Sequence, residues 1–144
     1  MFGSPLDVVL LFAVTMPLVG WLFSKSRFRS FCGIYVIVGL LISAYSLYTV
    51  SHEALVNPVR IDASLDYLHS SLKIDALGVF MTAIIIAIGI FTAIYSLRFM
   101  ERDTGIPLYY TLLMLMIAGM TGVVFANDFF TLFIFWELMS ISSY

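Results

Sequence analysis

The chain has 144 residues, of which 62% are hydrophobic and 11% charged, and its mean hydropathy is +1.05. Soluble domains average about 45–50% apolar and about 25% charged residues, and so small a chain has too little interior to hide the excess. Lipid is the solvent that suits it. The net charge of −2, with no basic stretch interleaved with aromatics, excludes a nucleic-acid partner.

Helix one is expected over residues 6–23, with Pro5 and Asp7 at its start and Pro17 as a kink. The preceding MFGSPLD has no positive n-region, and the apolar run continues to Leu22, so a cleavable signal is not expected. Helix two is expected over 31–50. After it comes HEALVNPVRIDASLDYLHSSLKID, where the alternation in VRIDASLDYL predicts a short hairpin. Helix three is expected over 74–99 and helix four over 107–126. Gly105 suits the turn before helix four and Pro107 its first turn. A fifth helix starts after Asn127-Asp128 and is still apolar at Tyr144. Each run meets or approaches the roughly 20 residues that span about 30 Å of hydrocarbon. The expected class is therefore all-α integral membrane: one membrane domain over residues 1–144, of about five transmembrane helices, with an external hairpin between helices two and three.

Lys25, Arg27 and Arg29 lie between helices one and two, and Arg98 and Arg102 between three and four. Five helices put these two loops on one face, which the positive-inside rule makes cytoplasmic, so the N-terminus is expected outside the cell membrane. Small residues recur at contact spacing as Ala83 with Ala87, Gly89 with Ala93, and Ala118 with Gly122. Such residues let helix backbones approach in lipid. Trp21, Tyr45, Tyr48 and Tyr95 fit interfacial aromatic belts.

Glu137 is harder to explain as structure. It lies nine residues past Asp128, about 13 Å into the membrane at 1.5 Å per residue. A carboxylate there is expensive, and intramembrane acids usually face a bundle interior and mark ion pathways. Burial favours the neutral acid and a nearby cation the charged one, so a group held between the two exchanges a proton as its partner moves. Phe133, Ser140, Ile141 and Tyr144 share its helix face, and the Ser140 and Tyr144 hydroxyls could order water for proton hopping. The plainer alternative is a protonated Glu137 hydrogen-bonded to a neighbouring helix. No lysine or arginine lies at membrane depth in these five helices, so a cationic partner is expected from elsewhere.

Other candidates have simpler explanations. Asp75 and Asp128 sit at expected N-caps, with a supporting role in ion translocation, as proton-entry groups, the alternative for each. His52 and His69 lack ligands at metal spacing, so no metal site is expected. Arg98, Glu101, Arg102 and Asp103 form a mixed interfacial anchor. Cys32, the single cysteine, reads as a small buried hydrophobe and excludes an internal disulfide. Without cysteine clusters or paired histidines, no redox cofactor and no catalytic chemistry are expected in this chain. From Asp128 to Tyr144 is 16 residues, roughly 24 Å of helix. That is short of a full span, so a continuation or a partner chain is expected to supply further helices.

FANDFFTLFIFWELMSISSY, preceded by IDALGVFMTAIIIAIGIFTAIYSLRFM and PLYYTLLMLMIAGMTGVV, resembles the N-terminal part of the antiporter-like membrane subunits. These occur in complex I, Mrp-type cation/proton antiporters (the MrpA- and MrpD-like subunits) and energy-converting membrane-bound hydrogenases. The resemblance is strongest from Ile74 to Tyr144, and F-x-x-W-E-L-M-x-x-S-S-Y is its most specific stretch. It implies that Glu137 pairs with a lysine on a later broken helix, and that protonation of this pair drives proton or sodium movement. Its partners would be the other membrane subunits of a large complex. The alternative is a non-conducting scaffold beside such a pump, with Glu137 kept protonated. A quinone-site subunit would need more polar residues at one helix end than are present.

Overall fold

The computed structural model describes residues 4–23, 29–54, 59–65, 68–99 and 105–144; for 19–23, 29–31, 52–54, 59–65 and 68–71 it describes the backbone. Lys25, Arg27, Glu101, Arg102 and Asp103 lie outside the described residues, as do the side chains of Trp21, Arg29, His52 and His69. Five helices and one hairpin follow in order: α1 (Pro5–Phe23), α2 (Arg29–Ala54), β1 (Val59–Leu65), β2 (Leu68–Ile74), α3 (Ala76–Phe99), α4 (Ile106–Phe125) and α5 (Phe129–Ser143). Helices α2, α3 and α4 are long and apolar enough to cross a membrane, and shorter apolar runs lie in α1 and α5. The chain is a multi-pass membrane protein.

Helices α1, α3 and α4 each begin for a local reason. Ser4 and Asp7 cap α1 reciprocally: the Asp7 amide donates to Ser4 Oγ at 3.2 Å and the Ser4 amide to Asp7 Oδ2 at 3.4 Å. Asp75 Oδ1 accepts from the Gly78 amide at 2.8 Å at the start of α3. Gly105 precedes α4 with φ of 111°, a left-handed conformation that a side chain would resist, and Pro107 occupies the first turn, where no amide donor is needed. β1 and β2 pair antiparallel from Val59 opposite Ile74 to Leu65 opposite Leu68. The alternation in VRIDASL fits this pairing.

The helices alternate in direction. Leu6 near the start of α1, Leu47 near the end of α2, Ile74 at the end of β2 and Phe125 at the end of α4 meet in one buried cluster with Ile86 of α3. A larger cluster fills the rest of the bundle: Val9, Ala13 and Met16 of α1, Cys32, Val36 and Leu40 of α2, Ala93 of α3, and α4 from Ile106 to Ala118. Buried positions recur three and four apart on α3 (Gly78, Thr82, Ile86, Gly89, Ala93, Ser96), which marks one inward stripe. Buried residues of α4 cover about two thirds of its circumference at about 100° per residue, and it packs against every other helix. It is the hub.

Polar contacts join helices inside the bundle. The Thr15 and Tyr35 hydroxyls are 2.7 Å apart, Ser43 Oγ donates to the Pro5 carbonyl at 3.1 Å, and Ser96 is hydrogen-bonded to the Tyr110 phenol at 3.1 Å. Of the expected small-residue contacts, Gly89 and Ala93 lie in the interior, and a Cβ at Gly89 would stand 2.7 Å from Ile117 Cδ1. Ala83 and Ala87 differ from expectation. Both are exposed, lining an open apolar groove of about 360 Å³ between α2 and α3 with Ala44, Leu47 and Tyr48. Small side chains there leave space rather than a contact.

Candidate functional site

The fifth helix carries the candidate site. It starts at Asp128, whose Oδ1 accepts from the Thr131 amide at 2.7 Å and whose Oδ2 accepts from Thr131 Oγ1 at 2.8 Å. This cap fixes where helical phase begins, and so where every later residue of α5 points. Ahead of it, Leu72 of β2 forms an isolated antiparallel bridge with Ala126, tying the hairpin to the α4–α5 junction.

α5 packs chiefly on α4 and on the end of β2. Thr131 and Ser142 are buried, while Phe135, Leu138 and Met139 are partly so. Two glycines of α4 make the contact close. A Cβ at Gly119 would stand 2.8 Å from the Met139 amide nitrogen and 2.9 Å from Met139 Cα, so helix backbone lies against helix backbone. A Cβ at Gly122 would overlap the Phe135 ring. The sequence reading anticipated Gly122 but missed Gly119. The i, i+3 spacing of the two glycines was the signal available.

Glu137 is exposed on the outer side of α5, as are Phe133, Ser140, Ile141 and Tyr144, the residues expected to share its face. Trp136 and Ile134 beside it are also exposed, at 52% and 46%. The carboxyl group therefore stands on an apolar, aromatic surface turned away from the four other helices. Among the described residues, none forms an ion pair or hydrogen bond with it. Ser140 contributes its carbonyl to Ser143 Oγ at 2.9 Å.

Asp75 and Asp128 both lie at the hairpin end, where each caps a helix, and the structure does not bring them to Glu137. Cys32 is buried in α2. Among the described residues, no group of three or more His, Cys, Asp or Glu side chains is placed to hold a metal ion. Arg98 is exposed in the last turn of α3.

Residues 64–110 match the family model for the N-terminus of chain 5 of NADH-ubiquinone oxidoreductase (complex I). A Staphylococcus saprophyticus protein named as antiporter subunit mnhA2 is 27% identical over 147 aligned positions, covering 95% of this chain. The chloroplastic NAD(P)H-quinone oxidoreductase subunit 5 of Adiantum capillus-veneris is 28% identical over 124, covering 81%. This chain spans 17% of the length of each. Among solved structures, a chain of the membrane-bound sulfane sulfur reductase, an archaeal respiratory membrane complex, has the same fold. Its TM-score is 0.76 at 22% identity, over 97% of this chain and 22% of that one.

Proposed function

Because the chain belongs to the antiporter-like membrane-subunit family shared by complex I and the Mrp-type antiporters, we propose that it forms part of a proton- or sodium-translocating subunit of a membrane complex, with Glu137 as its switching carboxylate. The observation that carries this is the position of Glu137: well inside an apolar helix, on the outward side, with no basic group at membrane depth among the described residues. A carboxyl group so placed needs a companion, because lipid neither solvates its charge nor satisfies its hydrogen bonds. The companion is a lysine on a later helix that docks against the exposed face of α5, supplied by a continuation of this polypeptide or by a neighbouring subunit. Proton exchange between the two, as that helix moves, would couple the site to ion movement. Ser140 and Tyr144 line the same face and would order water at it; Asp75 and Asp128 serve as caps that hold α3 and α5 in place.

The structure of the assembled complex tests this directly. A basic nitrogen is expected within about 4–6 Å of the Glu137 carboxyl group, the range in which a charge shifts a neighbour's protonation. Only apolar groups or a lone hydroxyl at that distance would overturn the pump reading and leave a scaffold beside a pump.

The N-terminus is proposed to lie outside, which puts the segment holding Lys25, Arg27 and Arg29 in the cytoplasm. A Ser26→Cys substitution reports on this, since the native Cys32 is buried and gives a silent background. Labelling by an impermeant maleimide is expected in inside-out vesicles only. Labelling in right-side-out vesicles reverses the orientation.

A further inference from the structure

We infer that Gly119 and Gly122 of α4 are positioning residues for Glu137: they set the depth to which α5 settles on α4, and with it the place and direction of the carboxyl group. This rests on Glu137 carrying the switching charge. The geometry is simple. Phe135 and Met139, the residues met by the two glycines, are one turn apart on α5, and at 3.6 residues per turn Glu137 lies about 180° round the helix from their midpoint. The glycine seam and the carboxyl group are thus at opposite ends of one diameter of α5. Any thickening of the seam moves Glu137 outward, toward whatever faces it.

The seam has no slack. Ordinary van der Waals contact begins at 3.4 Å, whereas a Cβ at Gly119 would meet the Met139 backbone at 2.8–2.9 Å. Backbone cannot rotate aside as a side chain can, so alanine at 119 moves the whole of α5 by about half an ångström or more, the scale at which a functional site loses its geometry. At Gly122 the obstacle is the Phe135 ring, which can be trimmed. The two glycines therefore make different predictions. Displacement by Gly119→Ala has no side-chain remedy, whereas displacement by Gly122→Ala is reversed by shrinking residue 135.

The test measures ion transport per assembled complex, across pH, in membrane vesicles. Gly119→Ala and Gly122→Ala are each expected to lower transport about tenfold and to shift its pH profile, because a site held about 0.5 Å out of place loses most of its function. Gly122→Ala with Phe135→Leu is expected to recover transport to within about twofold of wild type. A merely structural seam would change the amount of complex and leave the pH profile of the assembled fraction alone. Wild-type transport and profile in both alanine variants, or no recovery in the double variant, overturns the inference. Should Gly122→Ala fail to assemble, Phe135→Ala decides: it adds no atoms and lets α5 sink toward α4. It must then shift the pH profile by itself, and an unchanged profile overturns the inference. Glu137→Gln is run alongside. If it abolishes transport while the seam variants behave as wild type, the function stands and the positioning role falls; if it transports normally, the function falls first.

Discussion

Ion transport is expected to fall to background when Glu137 is replaced by glutamine in the assembled complex, while the amount of complex stays near the wild-type level. Glutamine has nearly the same shape and stands on the outer side of α5, away from the α4 seam, so packing is untouched. What changes is charge. In the proposed function a cationic partner faces residue 137, and removing one member of a desolvated pair leaves the other uncompensated, a penalty of about 3–5 kcal/mol. At about 1.4 kcal/mol per factor of ten, the charged form of the partner becomes well over a hundredfold less favoured, and glutamine has no carboxyl proton to exchange with it. Glu137→Asp keeps the charge but withdraws it by one methylene, and is expected to retain part of the activity. Vesicle transport measurements normalised to assembled complex check both variants. Wild-type transport in Glu137→Gln ends the mechanistic assignment.

The second large effect is on stability. Phe125 is 1% exposed at the end of α4, packed with Leu6, Leu47, Ile74 and Ile86 and against Gly78. Phe125→Ala empties the place where α1, α2, α3, α4 and the hairpin meet. Truncating a buried phenylalanine destabilises by about 3 kcal/mol or more, mainly through lost contacts and the cavity left behind. The complex is expected to show a lower thermal midpoint and faster proteolysis. Phe129→Ala is the control. It removes the same ring four residues on, where Phe129 is 92% exposed, and is expected to leave the midpoint unchanged. Equal midpoints for Phe125→Ala and wild type would show that this cluster does not hold the helix ends together.

Those two phenylalanines illustrate what the sequence could and could not reveal. The helices were legible because apolar runs are interrupted by residues with definite backbone consequences: Gly105 and Pro107 before α4, and Asn127-Asp128 before α5. Asp75 and Asp128 were readable as caps because a short carboxylate at a helix start has one obvious set of donors, and both bonds are present. The hairpin was readable from period-two alternation, and β1 and β2 occupy that stretch. Which helix is central was not readable. In lipid the outside of a helix is as apolar as its inside, so α3 and α4 look alike in sequence although one shows a single buried stripe and the other is buried over most of its circumference. The same ambiguity led Ala83 and Ala87 to be expected in a contact and left Gly119 unnoticed. Glu137 stood out for the opposite reason. A carboxyl group is the kind of residue lipid penalises, so its position alone marked it; its outward direction depends on tertiary packing and needed the structure.

The bridge between Leu72 and Ala126 has a mechanical consequence. It anchors the α4–α5 junction, two residues ahead of the Asp128 cap, to the hairpin, while the far half of α5 is held against α4 by the close packing of Met139 on Gly119. Motion of α5 that preserves both this bridge and the glycine seam is a sideways swing across the face of α4, with Glu137 partway along the lever. At about 13 Å from the pivot, a tilt of about 5° carries the carboxyl group about 1 Å sideways. In the proposed function, a small angular change imposed from beyond the bundle would become a displacement large enough to make or break the contact of Glu137 with its cationic partner.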